Sequence, residues 1–214
     1  MPTPFPNTTN DMPPVVIVHG LWMNRAVMLP LAWRLRRMGL RCFLFGYRSR
    51  QPAQQICQQL EHWLSEKQLQ QPHFIGHSLG GLVINHHLQC HQAQPGQRVV
   101  LLASPVNGSR VAQRLARFPP GRWMMGAAFE DSLNHGAQPW AFPPETLMLA
   151  ATRPFGPGLL IPGGLEKPHD GTVNLAETQH PRLSDHQCIP SSHLWMLADR
   201  RTAERSAAFL QRKI

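Results

Sequence analysis

The segment Gly76-His77-Ser78-Leu79-Gly80-Gly81 is the part of the chain best suited to covalent chemistry. A G-x-S-x-G spacing between a strand and a helix sets the serine on a tight, strained turn, with its hydroxyl lifted to the carboxyl edge of a sheet. Small residues two places before and after the serine let the neighbouring backbone crowd in. The same turn leaves the serine beside a helix N-terminus, whose N–H groups favour a developing negative charge. The context fits: HFIGH ahead of Ser78 reads as a strand, and Leu79 to His91 reads as a helix.

A serine hydroxyl is a poor nucleophile unless a histidine, oriented by a carboxylate, takes its proton. Of the twelve histidines, His193 in SSHLWML falls between the last strand and the last helix, where a base reaches back over the sheet edge. His169, His180 and His186 are its rivals, on less suitable loops. Asp170 in PHDGTV follows the fifth strand, with Gly171 allowing a turn that presents the carboxylate; Asp185 is the alternative acid. Ser78, Asp170 and His193 then follow the chain order Ser, Asp, His. A tetrahedral intermediate needs two N–H donors. Leu79, next to the nucleophile, supplies one, and Leu21 in the loop His19-Gly20-Leu21 after the first strand supplies the other.

These residues need a sheet with strand ends pointing one way. Short, continuously apolar runs at 15–18, 41–47, 73–78, 98–104 and 146–152 have the signature of strands buried on both faces, and 185–190 is a weaker sixth. Helical patterns fill 25–38, 52–69 and 79–91, and a last helix is expected from about 194 to 211. This alternation predicts an α/β fold of about six mostly parallel strands with helices on both faces. With 214 residues the chain is one domain over 15–214, preceded by a polar, flexible lead-in over 1–14 that carries four prolines. Residues 118–145 are rich in Pro and Gly and read as an irregular, flap-like excursion. Its apolar residues, Trp123, Met124 and Met125 among them, either pack as an ordinary excursion or, with Trp22, line a substrate pocket.

Taken together, VIVHGLW, FIGHSLGG, ASPVNGS, HDGTV and SSHLWML resemble the α/β-hydrolase superfamily, and more narrowly its compact bacterial lipase/esterase-like serine hydrolases. The resemblance implies a hydrolase fold, no cofactor and acyl-ester substrates. It also implies Ser78 as nucleophile, Asp170 as acid, His193 as base, and Leu21 with Leu79 as oxyanion hole. Where many lipases carry G-T-P-H-x-G-S after the fourth strand, this chain has ASPVNGS. The length leaves no room for a large cap, so short to medium acyl esters are the expected substrates. An acyltransferase or thioesterase using the same three residues is the alternative, with a non-catalytic binding module behind it.

Composition removes other classes. The 21 Lys and Arg against 12 Asp and Glu give a net charge of +9, but the basic residues are scattered, without the runs that mark a polyanion site. No nucleic-acid partner is expected. Four dispersed cysteines give no disulfide framework. With neither an apolar leader segment nor a membrane span in the pattern, a cytoplasmic location is expected. His87 and His91 have i,i+4 spacing, but His-Leu-Gln-Cys-His lacks the glutamate of H-E-x-x-H, so no metal is expected.

Overall fold

Strand β1 (Val15–Val18) sends Val16 and Val18 into one apolar layer and Val15 and Ile17 into the other. That two-residue alternation, with every residue buried, is what a central parallel strand requires. The computed structural model describes residues 12–212, so most of the lead-in expected over 1–14 lies outside the described residues. Five more strands follow: β2 (Cys42–Phe45), β3 (His73–His77), β4 (Val99–Leu102), β5 (Thr146–Ala151) and β6 (Asp185–Ile189). All six pair in parallel, in the order β2-β1-β3-β4-β5-β6. β6 is an edge strand, and its mostly half-buried residues explain why its apolar signal is weak.

One face of the sheet is covered by α2 (Ala53–Glu66) and α3 (Leu79–His91), the other by α1 (Leu29–Arg37) and α6 (Arg200–Leu210). α1 is preceded by one tighter turn, Arg25–Met28, capped by the Asn24 side chain, which accepts from the Ala26 N–H at 2.9 Å. α3 is buried nearly all round because it packs on the sheet beneath it and on α2 beside it.

The structure corrects two expectations. The last helix is not continuous from 194: Trp195–Leu197 forms a separate tight turn, and α6 begins at Arg200. Asp199 is extended (φ −74°, ψ 128°), and its carboxylate accepts from the Arg201 N–H, so it ends one helix segment and caps the next. The segment 118–145 is not wholly irregular either. It contains α5 (Pro119–Met125), which two prolines at its first positions permit, following α4 (Arg110–Leu115), capped by Ser109. Past α5 the chain packs down: Phe129, Leu133, Ala137 and Phe142 join the α2–α3 layer, and Asp131 accepts from the Ala53 N–H that opens α2.

Candidate active site

The strand order reverses between β1 and β3, and in open α/β sheets ligands bind beyond the strand ends at such a point. The segments leaving the sheet there are the loop after Val18 and the turn at Ser78. Ser78 has φ 54° and ψ −123°, a conformation unfavourable for any residue with a side chain. Its surroundings hold it there: its N–H donates to Leu102 O at 2.9 Å, and its carbonyl accepts from the Gly81 N–H at 3.1 Å. The flanking glycines are obligatory. A Cβ on Gly76 would sit 2.6 Å from the Gly81 backbone, and one on Gly80 would sit 2.3 Å from Val18 O.

Asp170 and His193 meet on the loops beyond β5 and β6. His193 Nδ1 donates to Asp170 Oδ2 at 2.6 Å, and both side chains are sealed from solvent. The second carboxylate oxygen accepts from the backbone N–H groups of Thr172 and Val173, at 2.9 and 2.7 Å. The His193 N–H also donates to Asp170 O at 3.1 Å, so the two residues are joined through main chain and side chain alike. With Nδ1 carrying the proton, Nε2 is left as the basic nitrogen. Asp185, the alternative acid, begins β6 at the strand end remote from His193 and accepts from Gln187 Nε2 instead. His169 accepts from the Gly171 N–H, His180 stacks on Trp140, and His186 bonds Thr178.

His77, which sequence reasoning passed over, ties the two halves together. Its Nε2 donates to His193 O at 2.9 Å, and the two rings lie 4.7 Å apart. Burial, with His193 beside it, holds the His77 pKa well below 6.5, so it is neutral with a single N–H to give. The loop bearing His193 is thus fastened to the residue directly before Ser78. No hydrogen bond joins Ser78 Oγ to the His193 ring among the described residues; in nucleophile–base pairs that bond is often long until substrate is in place.

Leu79 is the first residue of α3, so its N–H has no acceptor one turn back. The Leu21 N–H likewise has none among the described residues. The Leu21 loop approaches Ser78 closely enough that a Cβ on Gly20 would lie 3.1 Å from Ser78 Cβ. Tyr47, the only tyrosine in the chain, stacks on His19 at 4.3 Å and donates its hydroxyl to His19 O at 2.7 Å. Ser49 Oγ accepts from the Trp22 N–H at 2.9 Å, holding Trp22 at φ 57°. A lone tyrosine two residues past β2 was the signal available for this support.

Of the proposed pocket residues, Trp22, Trp123 and Met124 are exposed, and Trp22 Nε1 donates to Met124 O at 2.9 Å. Arg50 lies over the Trp123 ring at 4.7 Å. Met125 departs from that expectation: it shares the inward face of α5 with Gly121, four residues earlier, and is buried in the α2–α3 layer. A cleft of about 630 Å³ opens between Trp22, Tyr47, Arg50 and Gly126.

An all-parallel sheet with a serine on a strained strand-to-helix elbow, and a buried Asp–His pair on later loops, defines the α/β-hydrolase architecture. The sequence matches the alpha/beta hydrolase family over residues 15–208, and the chain belongs to that family. Among curated proteins none matches the sequence. Similar solved structures include the mature lipase BlEst2 of Bacillus licheniformis, with TM-score 0.70 and 18% identity, over 98% of this chain and 96% of that one. An Exiguobacterium antarcticum esterase, EaEST, aligns with TM-score 0.63 and 15% identity over 94% and 92%. Carboxylesterase CesB of Bacillus subtilis aligns with TM-score 0.59 and 14% identity over 96% and 86%. No helix among the described residues is long and apolar enough to cross a membrane.

Proposed function

We propose that the chain is a serine esterase that cleaves short to medium acyl esters through an acyl-enzyme. Ser78 attacks the acyl carbonyl while His193 Nε2 takes its proton, and Asp170 steadies the resulting imidazolium. The N–H groups of Leu21 and Leu79 meet the oxyanion, each worth about 3 kcal/mol. His193 then protonates the leaving alcohol, and water activated by His193 releases the acid. The observation that carries this reading is the sealed Asp170–His193 pair, fastened through His77 to the strained Ser78 elbow. The lipase and esterases among the similar folds support an ester substrate. Only α5, from the 118–145 excursion, serves as the short flap, with Trp123 and Met124 joined by Trp22 in an adaptable apolar wall.

The test is labelling by a fluorophosphonate probe beside turnover of p-nitrophenyl esters of increasing chain length, for the wild type and Ser78→Ala. Labelling and turnover lost together, with an optimum at short or medium chains, is the expected result. A Ser78→Ala protein that still labels and turns over removes the reading.

A further inference from the structure

We propose that Glu61, His87 and His91 bind one divalent transition-metal ion, with zinc the fitting example, across the α2–α3 contact. His87 and His91 stand on one face of α3, their rings stacked 4.7 Å apart and 29° from parallel. The carboxylate that α3 itself lacks comes from α2: Glu61 Oε2 lies 3.7 Å from His91 Nε2. One donor atom from each of the three residues falls within 4.8 Å of the other two. Ligand atoms about 2.1 Å from a common zinc ion sit about 3.4 Å apart in a tetrahedral site. Rotation of the solvent-facing Glu61 and His91 side chains closes that difference.

A second observation, independent of the clustering, points to a ligand. The His87 ring is buried, edge-on to Phe74 at 5.6 Å, and its Nδ1 has no hydrogen-bond partner. A buried polar nitrogen without a partner calls for an explanation, and a bound cation is one. One fixed, buried imidazole with two adjustable ligands at the surface makes a site that a metal completes. Two imidazoles and one carboxylate suit zinc and its neighbours rather than magnesium or calcium, which require an oxygen shell. All three side chains line a groove of about 850 Å³. His87 lies nine steps along the helix from Ser78, about 14 Å at the usual rise, so this site is separate from the candidate active site.

The experiment uses the full, tag-free chain stripped with chelator, titrated with zinc against a chromophoric indicator and melted with and without zinc. The expected result is one zinc per chain with a Kd of about 1 μM or tighter, and a Tm raised by zinc. His91→Ala and Glu61→Gln, both at solvent-facing side chains, should keep the metal-free Tm and weaken zinc binding about tenfold or more. Cys90→Ser, which removes an exposed thiol on the same helix, should bind as the wild type does. Absence of micromolar binding, or His91→Ala and Glu61→Gln binding like the wild type, overturns the proposal. So does loss of binding in Cys90→Ser.

Discussion

Replacing Asp170 by asparagine changes one carboxylate oxygen to an amide without changing shape, and the structure says which oxygen it must be. Oδ1 accepts two backbone N–H bonds, from Thr172 and Val173, which an NH2 group cannot accept. In Asp170→Asn the amide nitrogen therefore faces His193 Nδ1, which stands 2.6 Å from Oδ2 in the native chain. To avoid two donors meeting, His193 must move its proton to Nε2, the nitrogen that should receive the Ser78 proton. The expected loss is about 10³- to 10⁴-fold in kcat with KM little changed, or about 4 to 5.5 kcal/mol of transition-state stabilisation. Folding stability should hardly suffer, because the lost carboxylate also relieves its repulsion of buried Glu177, whose pKa is raised chiefly by burial and also by Asp170. The assay is kcat and KM on p-nitrophenyl butyrate from pH 6 to 9, beside urea unfolding. An Asp170→Asn enzyme within tenfold of the wild type, while Ser78→Ala is inactive, would refute the assignment of Asp170.

Tyr47→Phe removes the hydroxyl that holds His19 O, and should lower kcat about three- to tenfold and stability by about 1–2 kcal/mol; unchanged turnover would free the Leu21 loop of this support. Gly80→Ala pushes a methyl into Val18 O and should cost about 3 kcal/mol or soluble expression altogether, read by urea midpoint; a native-like midpoint would contradict the close packing of α3 on β1. Burial, reinforced by Arg98 and opposed by Glu145, lowers the His73 pKa to about 4 from 6.5. The unfolded chain then binds one more proton at this residue in that range, so the His73 contribution to stability is complete above about pH 6.5 and is lost toward pH 4, up to about 3 kcal/mol. Urea unfolding at pH 7, 5.5 and 4.5 should show the slope, and His73→Leu should make it shallower, the remainder coming from other buried histidines such as His77; equal slopes in the two proteins would exclude His73 as a contributor. Trp123→Ala, at an exposed ring, should leave stability within about 0.5 kcal/mol yet raise KM for hexanoate several-fold and for acetate little. Equal changes for both esters would remove α5 from the acyl wall.

The elements that carry the elbow were legible because a strand buried on both faces writes itself as an unbroken apolar run. Val15 to Val18 and Val99 to Leu102 need no context to be read. Ser78 was legible because Gly76 and Gly80 are imposed by backbone contacts at that turn. What escaped depends on partners distant in sequence or on a single cap. Asp199 breaks the last helical pattern by capping its second part, and the periodicity of the flanking residues hides it. Met125 reads as one more apolar residue in a Trp-Met-Met run, and only the docking of α5 turns it inward while Trp123 and Met124 stay outside. His77 occupies the variable position of G-x-S-x-G, and its bond to His193 spans 116 residues.

The same separation by distance explains why only the His87–His91 pair of the α2–α3 cluster is legible in sequence: Glu61 precedes His91 by thirty residues and belongs to another helix. The two proposed sites lie at opposite ends of α3. Its N-terminus meets the sheet's carboxyl edge and bears Ser78 and Leu79, while its last turns reach the opposite edge and carry His87 and His91. A metal held there bonds α3 to α2 without touching Ser78, Asp170 or His193. Its consequence for turnover should therefore pass through the persistence of the fold. Zinc should lengthen the half-life of activity near the Tm and leave kcat and KM at about 25 °C unchanged, and His91→Ala should abolish only the former effect. A shift of kcat with zinc at that lower temperature that survives in His91→Ala would place the responsive metal ligand elsewhere, with His193 the first residue to examine.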